Sequence, residues 1–392
     1  MITITQWLLS VLRCLGPYLS VRKQWSRLKS IKSSGKLQPE EFKLGPHKLL
    51  PLDIASWKSS IRSDTIRSVE IWDGLRPFFK NHGFSLWSSS KTDLFAVQRI
   101  DHMPSPNGYF YHNRHSLASY FLKPEWGPAH GAHHAARSGQ GDDYIISVMA
   151  VGENDEKALN HLRIIRRLSA TYPDILLSNN HILPLVQEIF YGDTVFGVFP
   201  MLKGISLYHC LLPNMPRRSV EDAVFLLLQA LEAICYIHGK RIAHRDLFFE
   251  NFLVEWIPES LVHPVATRPR VYLIDFETAV QFEDDVTPEA MVLDSNNLPF
   301  PEETYKREPA PELYLEDDYC PFKLDVWQFG HGLIECFTST TIPEIDNLWP
   351  TLVVENPIER PTAAEVLQTL RSFINSTPPQ RLHIPFDFVM IR

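Results

Sequence analysis

The sequence predicts a two-lobed α+β protein, in which a small strand-rich lobe with one helix precedes a larger helical lobe. The chain has 392 residues, which is enough for two core-bearing units or one large two-lobed one. Hydrophobic residues make up 44% of it, far more than a disordered chain carries. Strand-like patterns and one helical pattern occupy residues 72–203, whereas helical patterns dominate residues 204–376. We therefore expect a folded protein whose two lobes differ in secondary structure.

Charge is distributed unevenly along the chain. The formal net charge is −8, from 38 basic and 46 acidic residues. Residues 1–39 contain seven Lys or Arg and no acidic residue, so 38 minus 7 leaves 31 basic against 46 acidic residues in the rest. Because this body is acidic, we expect no nucleic-acid partner. The five cysteines are scattered and never in CxxC spacing, which favours a reducing, cytoplasmic location without a disulfide framework.

The basic leader, residues 1–39, is predicted to be disordered or helical. Its apolar stretch is interrupted by Arg13, falls short of a membrane span and lacks the cleavage pattern of a secretory signal. Because such a basic, acid-free segment also resembles a mitochondrial presequence, mitochondrial import is an alternative to the cytoplasm. Residues 40–71 are polar and contain prolines, which predicts a linker or extension.

The first lobe, residues 72–203, is predicted to contain strands and one helix. Alternating residues around a Ser-Lys turn predict a hairpin over residues 83–100. A long surface insertion is predicted over residues 101–143, and its crowded histidines are interpreted as a solvated loop because their spacing matches no metal-ligand pattern. Further elements are predicted in this order: a strand at 144–149, a helix through Ala158, Leu162, Ile165 and Leu168, and a strand at 196–202.

The second lobe, residues 204–376, is predicted to be mostly helical. Ser219 is a predicted N-cap, with Asp222 three residues later, for a helix that reaches Ile237. Two short strand-like pieces follow, at residues 251–256 and 271–276. The tail, residues 377–392, shows no periodicity that predicts an element.

Three polar side chains stand out between the apolar segments. Asp246 lies on a tight loop, Asn251 follows five residues later at the start of a strand, and Asp275 ends the next strand. A capped turn alone would explain the first two. A carboxylate and an amide joined by a two-stranded ribbon can instead share Mg²⁺, leaving Asp246 to orient and deprotonate a hydroxyl group.

These segments resemble the eukaryotic protein kinase family. HRDLFFEN is similar to the catalytic loop H-R-D-L-x-x-x-N, and IDFE is similar to the D-F-G metal motif. Ala310-Pro311-Glu312 matches A-P-E, and DVWQFG, which contains Asp325, is similar to the family's D-x-W-x-x-G helix. Arg360 is similar to the arginine that pairs with the A-P-E glutamate. The resemblance covers residues 72–376 apart from the insertion, and it implies a two-lobed protein-kinase-like fold.

The resemblance also implies roles for individual residues. Asp246, within His244-Arg245-Asp246, corresponds to the catalytic base, and Arg245 to the arginine that binds an activation-loop phosphate. Asn251 and Asp275 correspond to the Mg²⁺ ligands, and Phe276 follows as in D-F-G. The nucleotide-binding positions are the gatekeeper and the hinge: Phe199, Pro200, Met201 and Leu202. The cofactors implied are ATP and Mg²⁺, and the implied partner is an unidentified protein.

Four positions depart from the family pattern. Ser147 occupies the position of the V-A-I-K lysine, and His161 stands where its glutamate partner belongs. Phe248 replaces the lysine two residues after the catalytic aspartate, and Glu277 replaces the D-F-G glycine. No glycine-rich loop precedes the Ser147 strand. Each lost donor to a developing phosphate charge could cost about 3–4 kcal/mol.

The sequence leaves two compensations open for these departures. Lys91 in the hairpin turn or Arg99 in the following strand could supply a cation, as a neighbouring strand does in with-no-lysine kinases, or both could be solvated surface residues. Glu277 could add a third carboxylate for Mg²⁺.

Three functions are therefore open at this point. One is ATP-dependent phosphorylation of protein serine or threonine, and another is a pseudokinase that serves as a binding or scaffolding module. A small-molecule phosphotransferase is disfavoured by the A-P-E and D-x-W-x-x-G motifs.

Overall fold

The structure, a computed structural model, describes residues 50–63, 65–90, 96–98, 125–128, 130–169, 174, 177–202, 205–211, 219–255, 269–300, 307–336 and 339–385. The predicted leader, residues 1–39, therefore lies outside the described residues, as do the candidate cations Lys91 and Arg99. None of the helices in the described ranges is long and apolar enough to cross a membrane.

The first lobe is built on a five-stranded antiparallel sheet with the order β1-β5-β6-β8-β7. Its strands are β1 (Phe84–Leu86), β5 (His133–Ser138), β6 (Asp143–Val151), β7 (Gln187–Tyr191) and β8 (Thr194–Pro200). A second small sheet joins β2 (Ser88–Ser89), β3 (Val97–Gln98) and β4 (Glu125–Trp126). The predicted two-lobed α+β fold is confirmed by this sheet lobe and the helical lobe that follows it.

Three helices accompany this sheet. Helix α1 (Ile54–Ser63) and helix α2 (Thr65–Asn81) precede it, and helix α3 (Glu156–Ser169) connects β6 to the later strands. The helix predicted through Ala158, Leu162, Ile165 and Leu168 is confirmed by α3, in which all four of these residues are buried. Asp155 accepts a hydrogen bond from the Ala158 amide at 3.1 Å and so caps its first turn.

The second lobe surrounds helix α5, which is buried along most of its length. Its helices are α4 (Leu207–Leu211), α5 (Val220–Gly239), α6 (Pro321–Cys336), α7 (Pro343–Asp346), α8 (Ala363–Ser376) and α9 (Pro379–Leu382). Ser219 caps α5 as predicted, through a capping box with Asp222. Short 3₁₀ helices lie at Phe249–Asn251, Pro288–Ala290, Pro311–Tyr314, Trp349–Leu352 and Pro357–Glu359.

Two small antiparallel sheets complete the second lobe. One has the order β12-β11-β9, from β9 (Ile205–Ser206), β11 (Phe252–Glu255) and β12 (Arg270–Leu273), and the other joins β10 (Ile242–Ala243) to β13 (Val280–Gln281). The ribbon predicted from residues 251–256 and 271–276 is thus confirmed by β11 and β12, which pair from Phe252↔Leu273 to Glu255↔Arg270.

Three predicted boundaries differ from the structure. The segment 40–71, predicted as a linker, contains α1 and the start of α2. The hairpin predicted over 83–100 is divided, because β1 pairs with β5 whereas β2 pairs with β3. The insertion predicted over 101–143 is wrong at its C-terminal end, where β5 forms the second strand of the main sheet.

The burial of its residues explains why the sequence did not predict strand β5. His134 is only 5% exposed and its ring lies 4.9 Å from the ring of Trp72 on α2. Since Ala135 and Ala136 are also fully buried, both faces of the strand are covered and the alternation expected of a half-buried strand is absent. Residues 133 and 134 therefore lie in the sheet and not in a solvated loop.

Candidate active site

A buried carboxylate on helix α6 holds the HRD segment. Asp325 is fully buried and accepts hydrogen bonds from the backbone amides of His244 (2.8 Å) and Arg245 (2.6 Å). Gln328, one turn along the helix, accepts from the Leu247 amide at 2.9 Å and donates to the Arg245 carbonyl at 3.0 Å. These bonds hold Arg245 in a left-handed conformation with φ of 68°, which a non-glycine residue rarely adopts. The loop geometry is thus fixed before any ligand binds.

Asp246 and Asn251 face each other across this loop. Asn251 Nδ2 donates to Asp246 Oδ2 at 2.7 Å and to the Asp246 carbonyl at 2.8 Å. The other carboxylate oxygen, Asp246 Oδ1, is buried and has no hydrogen-bond partner among the described residues. Burial raises the pKa of Asp246 above its usual value, although His244 and Arg307 oppose the rise. One oxygen is therefore anchored, and the other can accept a hydrogen bond from a ligand.

Asp275 is brought to the same place by the β11–β12 ribbon. The Ile274 amide donates to the Asn251 carbonyl at 3.0 Å, and His244 Nε2 donates to the Ile274 carbonyl at 2.9 Å. Desolvation by the surrounding protein, followed by the nearby carboxylates of Glu277 and Asp246, raises the pKa of Asp275 to about 7. A bound cation would offset the repulsion between Asp275 and the neighbouring carboxylates, so Asp275 is suited to be a metal ligand.

The HRD histidine is a packing residue of this site. The His244 ring is buried and its centroid lies 4.7 Å from that of Phe276. Burial lowers the pKa of His244, although Asp325 and Asp246 oppose this. His244 therefore links the catalytic loop to the Asp275 segment as a neutral ring.

Arg245 contacts the segment that follows Asp275. Its guanidinium donates to the carbonyls of Thr278 (3.4 Å) and Asn297 and to the Asn297 side chain (3.3 Å). Arg245 is only 4% exposed. Backbone carbonyls accept hydrogen bonds from the guanidinium that, by the resemblance, an activation-loop phosphate would accept. The Thr278–Asn297 segment is thus held against the catalytic loop by the unmodified chain.

The two positions of the missing lysine–glutamate pair lie in the first lobe, where Ser147 is buried and His161 is half-buried. Ser147 sits on β6 between His133 of β5 and Gly197 of β8, and it is 7% exposed. Burial is the main reason that the pKa of His161 falls to about 4 and that of His133 to about 3. Both rings are therefore neutral at pH 7, and neither replaces the lost positive charge.

A lysine absent from the sequence prediction reaches this region. Lys58 of α1 forms an ion pair and hydrogen bond with Glu277, the residue that replaces the D-F-G glycine. Burial alone would raise the pKa of Glu277, but the charge and hydrogen bond of Lys58 outweigh it and hold the pKa below its usual value. Asn160 of α3 also donates to the Ala279 carbonyl at 3.0 Å, which docks α3 onto the same segment.

Arg307 is a second cation that the sequence did not reveal. Its guanidinium carbon lies 4.2 Å from the centroid of the Phe248 ring, and its Nη1 donates to Glu250 at 2.8 Å. Its Nε lies 3.9 Å from Asp246 Oδ1. The guanidinium group of Arg307 therefore packs on the ring of Phe248, the residue that replaces the catalytic-loop lysine. Arg307 itself lies just before Ala310-Pro311-Glu312.

The predicted hinge is closely packed. Phe199 lies against Gly197, where a Cβ atom would come within 2.8 Å of the Phe199 ring. The Met201 amide donates to the Asp143 carbonyl at 3.0 Å. The Met201 side chain is 6% exposed and belongs to a buried apolar cluster, which we call the hinge cluster: Trp87, Val97, Ala135 and Met201. Pro200 and Leu202 are half-buried at the end of β8 and just beyond it.

The predicted structural pair is present in the second lobe. Arg360 donates to both carboxylate oxygens of Glu312, at 2.6 and 2.7 Å, and the two side chains are 0% and 4% exposed. This bidentate pair ties the A-P-E segment to the loop before α8.

Within the described residues, no group of three or more His, Cys, Asp or Glu side chains is arranged to hold a metal ion. The Asp275 carboxylate and the Asn251 amide oxygen still fit Mg²⁺, because this ion takes few protein ligands and completes its shell with water and phosphate oxygens. The described geometry therefore suits a metal that arrives with a polyphosphate.

Comparison with known proteins agrees with the geometry. A family model described as the protein kinase domain matches residues 153–375. The chain is 30% identical over 155 residues to a probable serine/threonine-protein kinase KIN1 homolog of Encephalitozoon cuniculi, covering 40% of this chain and 23% of that protein. It is 27% identical over 221 residues to sperm motility kinase 2A of Mus musculus, covering 50% and 39% respectively.

A further relative is protein-tyrosine kinase 6 of Homo sapiens, which is 27% identical over 168 residues, or 43% of this chain and 32% of that protein. The chain thus spans well under half the length of these relatives. The family match begins after β6, so Lys58 and the strand with Ser147 lie outside it.

Proposed function

Because the chain belongs to the protein kinase domain family, we propose that it binds ATP with Mg²⁺ and transfers the γ-phosphoryl group to a serine or threonine of a protein. The observation that carries this proposal is the arrangement of Asp246, Asn251 and Asp275. Two short hydrogen bonds fix Asp246 against Asn251, and the Asn251–Ile274 backbone bond places Asp275 next to them. Serine or threonine is chosen as the acceptor because the Encephalitozoon cuniculi relative is named a probable serine/threonine-protein kinase.

Each residue has a defined task in this proposal. Asp246 Oδ1 accepts the hydrogen bond of the substrate hydroxyl and takes its proton as the oxygen bonds to the γ-phosphorus and the bond to the bridging oxygen breaks. Asp275 and the Asn251 amide oxygen would hold the metal. Bound Mg²⁺ would neutralise charge on the phosphate oxygens. Asp325 keeps the loop in place through its two backbone hydrogen bonds.

The proposal is tested by thermal unfolding with ATP, with and without Mg²⁺. We expect a Mg²⁺-dependent rise in melting temperature, because a ligand at about 100 times its Kd adds about 2.7 kcal/mol to the free energy of unfolding. Asp275→Asn should remove the Mg²⁺-dependent part of the rise, since the amide cannot supply a carboxylate charge to the metal. The exposed Asp317→Asn is the matched control and should leave it unchanged. No rise for the wild type at millimolar ATP would contradict the proposal.

Arg307 provides a separate prediction. Arg307→Ala should lower kcat about 10- to 100-fold, because it removes the positive charge beside Asp246 and Phe248. Arg307→Lys, which keeps the charge but not the planar stack, should retain part of the rate. The measurement is transfer of labelled phosphate to a degenerate mixture of serine- and threonine-containing peptides. A rate that increases in Arg307→Ala would show that this arginine blocks Asp246.

The hinge cluster favours a second candidate, a pseudokinase that acts as a binding or scaffolding module. Trp87 and Val97, 2% and 5% exposed, pack with Met201 where the resemblance places adenine. If these side chains hold the adenine position closed, ATP cannot enter. The thermal-unfolding experiment separates the two candidates, because a pseudokinase closed in this way gives no rise with ATP in either the presence or absence of Mg²⁺.

A further inference from the structure

Lys58 reaches the metal end of the site from far away in the sequence. It lies 219 residues before its partner Glu277, which is two residues after Asp275. The two side chains are 30% and 32% exposed, so the pair is partly sheltered but still open to a ligand. The Lys58 ammonium group therefore lies at Glu277, two residues along the chain from the proposed metal ligand Asp275.

Helix α1 holds this lysine in place. The neighbouring Trp57 is 1% exposed, and its ring centroid lies 5.6 Å from that of Trp72 and 6.1 Å from that of Phe196 on β8. The Asp53 carboxylate accepts a hydrogen bond from the Ser56 amide at 2.6 Å and caps the first turn. Because the helix is anchored to the sheet that carries Ser147, Lys58 is presented from a packed element of the first lobe.

A cation at this position offsets negative charge in the site. Asp275 and Glu277 are carboxylates only two residues apart, and a polyphosphate would add further negative charge. The side chains at the two positions of the missing pair, Ser147 and the neutral His161, supply none to balance them. A lysine that bridges Glu277 and a phosphate oxygen would offset both charges.

We propose that Lys58 binds the phosphates of the nucleotide in place of the lysine absent at position 147, and that Glu277 positions it in place of the glutamate absent at position 161. In the family pattern the lysine lies on a strand and the glutamate on a helix. In this chain the lysine lies on helix α1 and the glutamate on the segment after Asp275. This inference rests on the proposed nucleotide-binding function. It assigns a role to both members of the pair, and Glu277 acts as a positioning residue.

The test measures binding of Mg²⁺-ATP and of adenosine to the full chain by isothermal titration calorimetry. Lys58→Met should weaken Mg²⁺-ATP binding about 10- to 100-fold and leave adenosine binding within about twofold, since adenosine has no phosphate for the lysine to contact. Lys58→Arg should remain within about fivefold of the wild type for ATP because it keeps the charge. Lys80→Met, at an exposed position in the last turn of α2, is the matched control and should change neither affinity.

The outcomes separate this inference from the function on which it rests. If wild type and Lys58→Met bind Mg²⁺-ATP equally, the role of Lys58 is overturned while nucleotide binding stands. If Lys58→Met loses affinity for ATP and adenosine alike, or binds ATP more tightly, the pair is a structural or closing contact and the inference is wrong. If the wild type binds no Mg²⁺-ATP, the proposed function fails and the inference fails with it. Selective loss of ATP affinity supports both.

Discussion

Replacing Asp246 with asparagine is expected to lower the rate of phosphoryl transfer about 10²–10⁴-fold, the usual contribution of a general base. Asparagine can still accept the Asn251 hydrogen bond, so the loop should keep its geometry, but its amide cannot take the proton of the substrate hydroxyl. ATP affinity should stay within about twofold, because Asp275 and Asn251, and not Asp246, are the metal ligands in this proposal. The measurement is the single-turnover rate with labelled ATP and degenerate serine and threonine peptides, together with the Kd for Mg²⁺-ATP.

Two comparisons make the Asp246 result decisive. Asp317→Asn carries the same substitution at an exposed position outside the site and should retain the wild-type rate. Asp275→Asn should lose both rate and Mg²⁺-dependent binding, whereas Asp246→Asn should lose rate alone. A wild-type rate in Asp246→Asn would show that another group accepts the proton, and a parallel loss of ATP affinity would show that the substitution disturbs the loop.

The second lobe was predictable from sequence because its functional residues are clustered in short motifs. HRDLFFEN and IDFE each fix several residues within one loop, and a ribbon of two adjacent strands is enough to bring Asn251 and Asp275 together. Asp325 is 79 residues from Asp246, yet its motif identified it, and the structure places it under the HRD backbone. Short sequence patterns were sufficient to predict these site residues, because each motif corresponds to one local backbone arrangement.

The first lobe and two cations of the site were less predictable, because these cations come from segments distant in the sequence. Lys58 is a single lysine on an ordinary amphipathic helix, and no spacing connects it to Glu277. The same holds in the second lobe for Arg307, whose contact with Glu250 spans 57 residues. Strand β5 was misread because two histidines and two alanines give no strand pattern, although tertiary packing buries all but one of them almost completely. The missing lysine at position 147 indicated that another cation should be sought, and the negative charge at the D-F-G glycine marks where Lys58 binds.

Breaking the buried pair between Arg360 and Glu312 should give the largest loss of stability among the substitutions considered. Arg360→Met leaves the Glu312 carboxylate buried without its partner and frees the Val354 carbonyl, which accepts from Arg360 Nε at 2.8 Å. Removing one partner of a buried ion pair costs about 3–5 kcal/mol. We expect a loss of that size in the free energy of unfolding, measured by urea denaturation of the full chain without nucleotide.

A surface pair gives the matched control for Arg360. Arg381 contacts Glu344 at 2.7 Å, but their side chains are 44% and 48% exposed, so Arg381→Met should leave stability close to that of the wild type. The double variant Arg360→Met with Glu312→Leu removes both buried charges and should recover part of the loss, since no carboxylate is then left uncompensated. It should not recover all of it, because Arg360 also donates to the Lys323 and Glu355 carbonyls at 3.2 Å. Equal losses in Arg360→Met and Arg381→Met would mean that water reaches Glu312 and that the A-P-E segment is held by other contacts.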